Sequence, residues 1–189
     1  MQLKLRNASE ADAKRLLEIY SFYVENTAVT FECETPTLDE FAARIRGISA
    51  RYPYIVALDG ERIVGYTYAG AFKARAAYDY SCEVTVYVDR RCRANGVGKA
   101  LYTALERLLG EMGFTNLYAC VAYPRAEDSY LTRNSADFHR HMGYRTVGRF
   151  ENCAYKFGCW YDMIWLEKVI ADHSRDMARL DLDKRRLPV

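Results

Sequence analysis

Glu83 opens an alternating run, Glu83-Val84-Thr85-Val86-Tyr87-Val88, as a carboxylate among β-branched and aromatic neighbours. An acid held against apolar walls has its pKa raised toward the operating pH, where it can take a proton from an amine directly or through water. A charged turn follows, Asp89-Arg90-Arg91-Cys92, and then Arg93-Ala94-Asn95-Gly96-Val97-Gly98-Lys99. Glycines at such a turn let backbone amides approach an anion closely, and Arg91, Arg93 and Lys99 add positive charge around it. Proton transfer at one end of the run and phosphate binding at the other is the chemistry these residue types suit.

The positioning elements are a strand and a helix. The run from Glu83 to Val88 has strand composition, and Leu101, Leu105, Leu108, Leu109 and Met112 recur at helical spacing after the glycines. The first turn of that helix carries unpaired N–H groups and the positive end of the helix dipole, which together attract phosphate. A bare tight turn ahead of a helix is the competing explanation. Two familiar phosphate loops fit poorly: Lys99 is followed by Ala100 rather than Ser or Thr, and Leu101 stands where a dinucleotide fingerprint has its third glycine.

The pattern Arg93-x-x-Gly96-x-Gly98, between a strand and a long helix, resembles the pyrophosphate loop of the GNAT acetyltransferase superfamily. Further ordered matches run along the chain: Lys73-x-Arg75-x-Ala77-Tyr78, Glu83-x-Thr85-Val86-Tyr87-Val88, Leu101-Tyr102, Gly113-Phe114, His139-x-x-x-Gly143-Tyr144 and Lys156-x-Gly158-x-Trp160-x-Asp162. Together, over residues 2–168, they resemble the phosphinothricin acetyltransferase branch. The resemblance implies an α/β (α+β) GNAT fold, a mixed, mostly antiparallel sheet of about seven strands with about four helices, splayed at its central strands. It also implies acetyl-CoA as co-substrate, with acetyl transferred to the amine of a small amino acid or analogue such as phosphinothricin or methionine sulfoximine.

On that resemblance Glu83 is the general base, and His139 the acid that protonates the departing thiolate. Backbone N–H groups of Val86, Tyr87 and Val88 serve the developing oxyanion and the pantetheine arm. Arg93, Ala94, Asn95, Gly96, Val97, Gly98 and Lys99 hold the pyrophosphate, and Asn134 is the CoA-contacting asparagine. The chain departs from the pattern here, because Thr132 occupies the place three residues before Ser135. Lys73, Arg75 and Tyr78 form a compact polar group able to pair with a carboxylate or phosphinate, and Phe31 lies in the loop that walls the acceptor pocket in the family. Tyr155, Lys156, Trp160 and Tyr161 are expected to close that pocket, across a homodimer interface as in the family. Where the branch has Trp-His-Asp, the chain reads Trp160-Tyr161-Asp162. An acetyltransferase for another amine, or a CoA-binding module without catalysis, are the alternatives.

Composition sets outer bounds. A chain of 189 residues forms one domain by length and buries about 70 % of its unfolded surface. Net charge is +2, from 27 basic and 25 acidic residues, which gives no electrostatic case for nucleic acid or an anionic membrane. Cysteines 33, 82, 92, 120, 153 and 159 form no Cys-x-x-Cys pair, so buried free thiols are expected rather than disulfides or a zinc site. His139 and His141 point different ways on a helix, and no metal is expected. The N-terminus lacks a basic segment followed by an apolar run, and nowhere do 18 apolar residues run together, so a soluble protein of the reducing cytoplasm is expected.

In chain order, Leu3 and Leu5 start a first strand and Ser9-x-x-Asp12 caps a helix ending about Glu25. Thr37-Leu38-Asp39-Glu40 opens a second helix. Tyr54–Leu58, Asp59-Gly60 and Ile63–Ala69 read as a hairpin, Leu117–Ala122 as a buried strand, and Pro124–Arg133 as a polar loop. A short helix over Ala136–His141 and strands from Tyr144 and over Trp160–Lys168 complete the domain, taken as residues 1–168. Residues 169–189 mix both charges and are expected as a solvated helix or frayed tail.

Overall fold

The computed structural model describes residues 3–93 and 95–188. Among them are seven strands, β1 (Leu3–Asn7), β2 (Tyr54–Asp59), β3 (Arg62–Ala71), β4 (Ser81–Val88), β5 (Asn116–Tyr123), β6 (Arg145–Lys156) and β7 (Cys159–Val169). Four α-helices accompany them, α1 (Ala13–Asn26), α2 (Leu38–Ser49), α3 (Val97–Met112) and α4 (Asn134–His141). The strands form one sheet in the order β1-β2-β3-β4-β5-β7-β6. The pairs β1–β2, β2–β3, β3–β4 and β6–β7 are antiparallel. The chain divides into two compact units, the first holding the residues up to Ile19, Pro36–Leu117 and those from Val169 on, the second Tyr20–Thr35 and Tyr118–Lys168.

Local signals explain most element boundaries in the first unit. The Ser9 backbone N–H donates to Asp12 Oδ2 at 2.8 Å, closing a capping box over a single 3-10 turn before α1. Thr37 and Glu40 close a second one at the start of α2, with Thr37 N–H donating to Glu40 Oε2 at 2.8 Å. Gly60, at φ 60°, makes the turn between β2 and β3. Leu101, Leu105, Leu108, Leu109 and Met112 are all buried on one face of α3. That helix lies close to β3, where an added Cβ on Gly65 would come within 3.0 Å of Val97 Cγ1 and 3.2 Å of Leu101 Cδ1. Gly65 therefore lets helix and sheet approach.

Two expectations are corrected. Only Cys82 is buried and Cys92 half-buried; Cys33, Cys120, Cys153 and Cys159 are exposed, and all six thiols are free. Three of those exposed or buried positions illustrate the cause: a strand sends alternate side chains to opposite faces, so Cys82 of β4 points inward while Cys120 and Cys153 point out. The charged tail is neither frayed nor an α-helix. Leu187 N–H donates to Asn7 Oδ1 at 2.9 Å, Asn7 Nδ2 donates back to Leu187 O at 3.2 Å, and Asp181 N–H donates to Met112 O at 2.9 Å. Beyond β7 its described residues carry the 3-10 turn Leu182–Arg185 and no α-helix. No helix among the described residues is long and apolar enough to cross a membrane.

Candidate active site

Strand β4 carries candidate groups at both ends. Its register against β3 sets Gly70 opposite Glu83, Tyr68 opposite Thr85 and Tyr66 opposite Tyr87. Cys82 and Val84 are buried, and Val84 O accepts from the Tyr102 hydroxyl of α3 at 3.4 Å. Glu83, Thr85 and Tyr87 take the opposite face. There Tyr66 lies 5.5 Å from Tyr87 and 6.5 Å edge-on from Phe41 of α2, and Tyr54 stacks on Tyr68 at 4.9 Å. Glu83 is half-buried on this aromatic face, and no hydrogen bond from a described residue reaches its carboxylate. Burial raises the Glu83 carboxyl above its ordinary value, and the charge of Lys73 opposes the rise without cancelling it. That is the environment of a proton acceptor.

The other end of β4 behaves oppositely. Asp89 is 5 % exposed and receives the guanidinium groups of Arg15, Arg62 at 2.6 Å and Arg91 at 3.3 Å. The Arg91 backbone N–H also donates to its Oδ1 at 3.0 Å. Burial alone would raise the Asp89 carboxyl, but the hydrogen bonds from Arg91, Arg15 and Arg62 outweigh it and hold the group well below the usual carboxylate range. Asp89 thereby fixes the 3-10 turn Arg90–Cys92 that leads into the glycine loop. Beyond it Arg93, Asn95, Gly96 and Lys99 are exposed, Gly98 is half-buried and Val97 is buried in the core. Ala94 lies outside the described residues. Gly96 caps α3 in the left-handed region at φ 77°, with nothing within 4 Å of the place a Cβ would take. Its carbonyl accepts the first helical bond, from Ala100 N–H at 3.0 Å. The amides of Val97, Gly98 and Lys99 precede that bond, so a pyrophosphate fits this cradle by donor set, charge and access.

The acceptor-binding candidates of the first unit lie between β3 and β4. Lys73 is exposed, its Nζ 5.1 Å from the Phe72 ring centroid, and its charge reaches Glu83. Arg75 caps the 3-10 turn Ala76–Tyr78, and the Tyr78 ring meets Phe72 edge-on at 5.8 Å. Val86, Tyr87 and Val88 complete β4 opposite Thr67, Tyr66 and Gly65.

In the second unit His139 is 4 % exposed, with Nδ1 at 2.7 Å from Ser135 O and its ring edge-on to Tyr144 at 5.5 Å. Burial lowers its pKa against the opposing Ser135 hydrogen bond, which favours neutral imidazole. His141 is exposed and bonded separately to Asp137 O. Asn134 is exposed at the first position of α4. Phe31 packs partly buried against Ala28, Ala122, Leu131 and Tyr161. Among the described residues no group of three His, Cys, Asp or Glu side chains can hold a metal ion.

Sequence reasoning quoted Asp162 in a motif but gave no role to it or to Asp128, the carboxylates that organise this unit. Asp128 Oδ1 accepts Tyr130 N–H and Leu131 N–H, both at 2.7 Å, while its Oδ2 accepts the Tyr161 hydroxyl at 2.8 Å. Asp162, fully buried, accepts Asn152 N–H at 2.7 Å and Arg149 Nε at 2.8 Å. Asn152 sits at φ 46° where β6 slips register against β7, so Asp162 stabilises a bulge. The buried Lys156 ammonium donates to Thr30 O at 2.9 Å, on the loop that carries Phe31. The Asp-Ser-Tyr sequence at 128–130 was an available turn signal; the distant partners had none.

The seven-stranded, mostly antiparallel sheet, with β4 running into the glycine-capped α3, is the fold of the GNAT acyltransferases. Residues 5–165 match the family described as acetyltransferase (GNAT) domain, and the chain belongs to it. It is 33 % identical to a phosphinothricin N-acetyltransferase of Streptomyces viridochromogenes over 85 % of this chain and 84 % of the relative. It is 25 % identical to an L-methionine sulfoximine/L-methionine sulfone acetyltransferase of Salmonella typhimurium over 91 % of this chain and 97 % of that one. A solved GNAT phosphinothricin acetyltransferase from Sinorhizobium meliloti, in complex with acetyl-CoA, superposes with TM-score 0.83 at 30 % identity, covering 94 % of this chain and 96 % of that chain.

Proposed function

We propose that this protein transfers acetyl from acetyl-CoA to the amine of a small amino acid or analogue of the phosphinothricin or methionine sulfoximine type, by direct attack assisted by Glu83. The observation that carries this reading is the half-buried Glu83 carboxylate, raised above its ordinary value, on the strand that leads to the glycine-capped helix. The names of the relatives supply the acceptor class. Acetyl-CoA, when bound, supplies an electrophilic thioester carbonyl. Glu83 removes a proton from the ammonium so that the free amine can attack, and backbone N–H groups among Val86, Tyr87 and Val88 meet the negative charge that develops on the carbonyl oxygen. The amides of Val97, Gly98 and Lys99, with Arg93 and Asn95, hold the pyrophosphate; Lys73, Arg75 and Tyr78 take the acceptor's carboxylate. Asn134 contacts CoA.

His139 can protonate the leaving thiolate only as imidazolium, and its lowered pKa confines that form to the acid side of neutrality. A homodimer fits the exposed aromatic hairpin β6–β7, where Tyr155 is 58 % and Trp160 60 % exposed and their rings lie 5.1 Å apart. Four exposed free thiols suit a reducing cytoplasm. The test is thiol release from acetyl-CoA with phosphinothricin, methionine sulfoximine, methionine sulfone, free amino acids and a polyamine as acceptors. Turnover on one of the first three is expected; turnover on the polyamine alone, or on none, overturns the acceptor assignment.

A further inference from the structure

Gly70 faces Glu83 directly across the β3–β4 ladder. Opposed residues on one face of an antiparallel pair hold their Cβ atoms about 4.5–5.5 Å apart, so whatever side chain stood at 70 would lie against the Glu83 side chain. Glycine leaves that place open: nothing comes within 4 Å of the position a Cβ would occupy. Gly70 has no backbone need to be glycine. It lies in regular strand register and is not among the residues of positive φ. It does not serve close packing either, in contrast to Gly65, where Val97 and Leu101 press on the missing side chain. The next pair on the same face, Tyr68 and Thr85, walls the opening on one side, with Tyr68 stacked on Tyr54 at 4.9 Å. Lys73, three residues along from Gly70, brings its charge to bear on Glu83.

We infer that Gly70 is the specificity-determining position of the site: the space it leaves beside Glu83 is where the acceptor's α-carbon and side chain stand while the amine reaches the carboxylate, and its size limits which amines are accepted. This rests on the reading of Glu83 as base. An α-substituted amine such as an amino acid needs that room, whereas a small unbranched amine does not.

The experiment compares wild type with Gly70→Ala and Gly70→Leu. Both variants are expected to fold with unchanged or higher Tm, since a side chain at an open strand position restricts the unfolded chain. For phosphinothricin or methionine sulfone, kcat/KM should fall in the order wild type, Ala, Leu, by about 10–200-fold in the larger variant, mainly through KM. Methylamine should lose far less, and the acetyl-CoA Kd should not move. Equal kcat/KM in wild type and Gly70→Leu, or equal losses for the large and the small amine, overturns the inference. A readout free of turnover separates its failure from that of the base assignment. Followed by carboxyl 13C NMR, Glu83 should titrate at higher pH in Gly70→Leu than in wild type, because leucine removes water from it. An unmoved midpoint overturns the inference even if Glu83→Gln abolishes activity. If the midpoint moves but Glu83→Gln is fully active, the base assignment fails, and the acceptor series then decides on Gly70 alone.

Discussion

The two ends of strand β4 hold carboxylates in contrasting states. Asp89 is the more buried, yet three guanidinium groups and a backbone N–H keep it ionised. Glu83 is only half-buried but lacks such donors, so desolvation dominates and its affinity for a proton rises. Burial by itself does not decide what a carboxylate does; the balance between lost water and gained donors does. One end of the strand thereby stays charged and holds a loop, and the other is where the proposed proton exchange falls.

The largest expected effect breaks the second end. Glu83→Gln should lower kcat/KM at neutral pH by about 10²–10⁴-fold, with acetyl-CoA affinity little changed in calorimetry. Because the folded-state pKa of Glu83 is raised, ionising it costs stability at every pH above its unfolded value. Gln removes that cost, so thermal unfolding of the variant at pH 7 should occur at the same or a higher Tm.

Gly98→Val should come next, since a branched side chain in the first turn of α3 obstructs anion approach to its amides. A tenfold or greater rise in the acetyl-CoA Kd is expected, about 1.4 kcal/mol, in a protein whose circular dichroism is unchanged.

Asp89→Asn tests the charged end. Replacing a carboxylate that three arginines share should cost about 1–3 kcal/mol in denaturant unfolding. The sign with pH follows from its depressed pKa: the stability it confers is complete above the unfolded carboxylate pKa and fades as pH falls below it, so wild type and Asn variant should converge in acid.

His139 supplies a smaller, pH-confined effect. Its lowered pKa means the unfolded chain binds the proton first, so wild-type stability should drop as pH falls below about 6.5. His139→Gln should show a shallower decline over the same interval, read as Tm against pH. Smallest is Tyr161→Phe, which removes one of three donors to Asp128 and should cost about 0.5–1.5 kcal/mol.

What the sequence disclosed follows the reach of each interaction. The strand, glycine turn and helix from Ser81 to Met112 were legible because their signals are local: alternation, a glycine cap, a helical repeat. So were the Thr37 and Glu40 capping box and the Asp59-Gly60 turn. Glu83 stood out as an acid in an apolar strand. The partners of Asp89 were not legible, because Arg15 and Arg62 come from α1 and β3 and no spacing rule links them. Tyr161 with Asp128, Lys156 with Thr30 and the docked tail at Asn7 are likewise joined by tertiary folding alone. The cysteines misled because an apolar run names a strand without naming which face each residue takes.

The central claim, that Glu83 takes the proton from the acceptor ammonium, is tested most directly by kcat/KM against pH for wild type and Glu83→Gln, using the best acceptor found. Wild type should rise along one limb set by the Glu83 carboxyl and another set by the substrate amine. The Gln variant should lack the first limb, keep the second, and recover part of its lost rate at high pH, where free amine needs no base. A Gln variant as fast as wild type at pH 7, or one equally slow at every pH, would contradict the assignment.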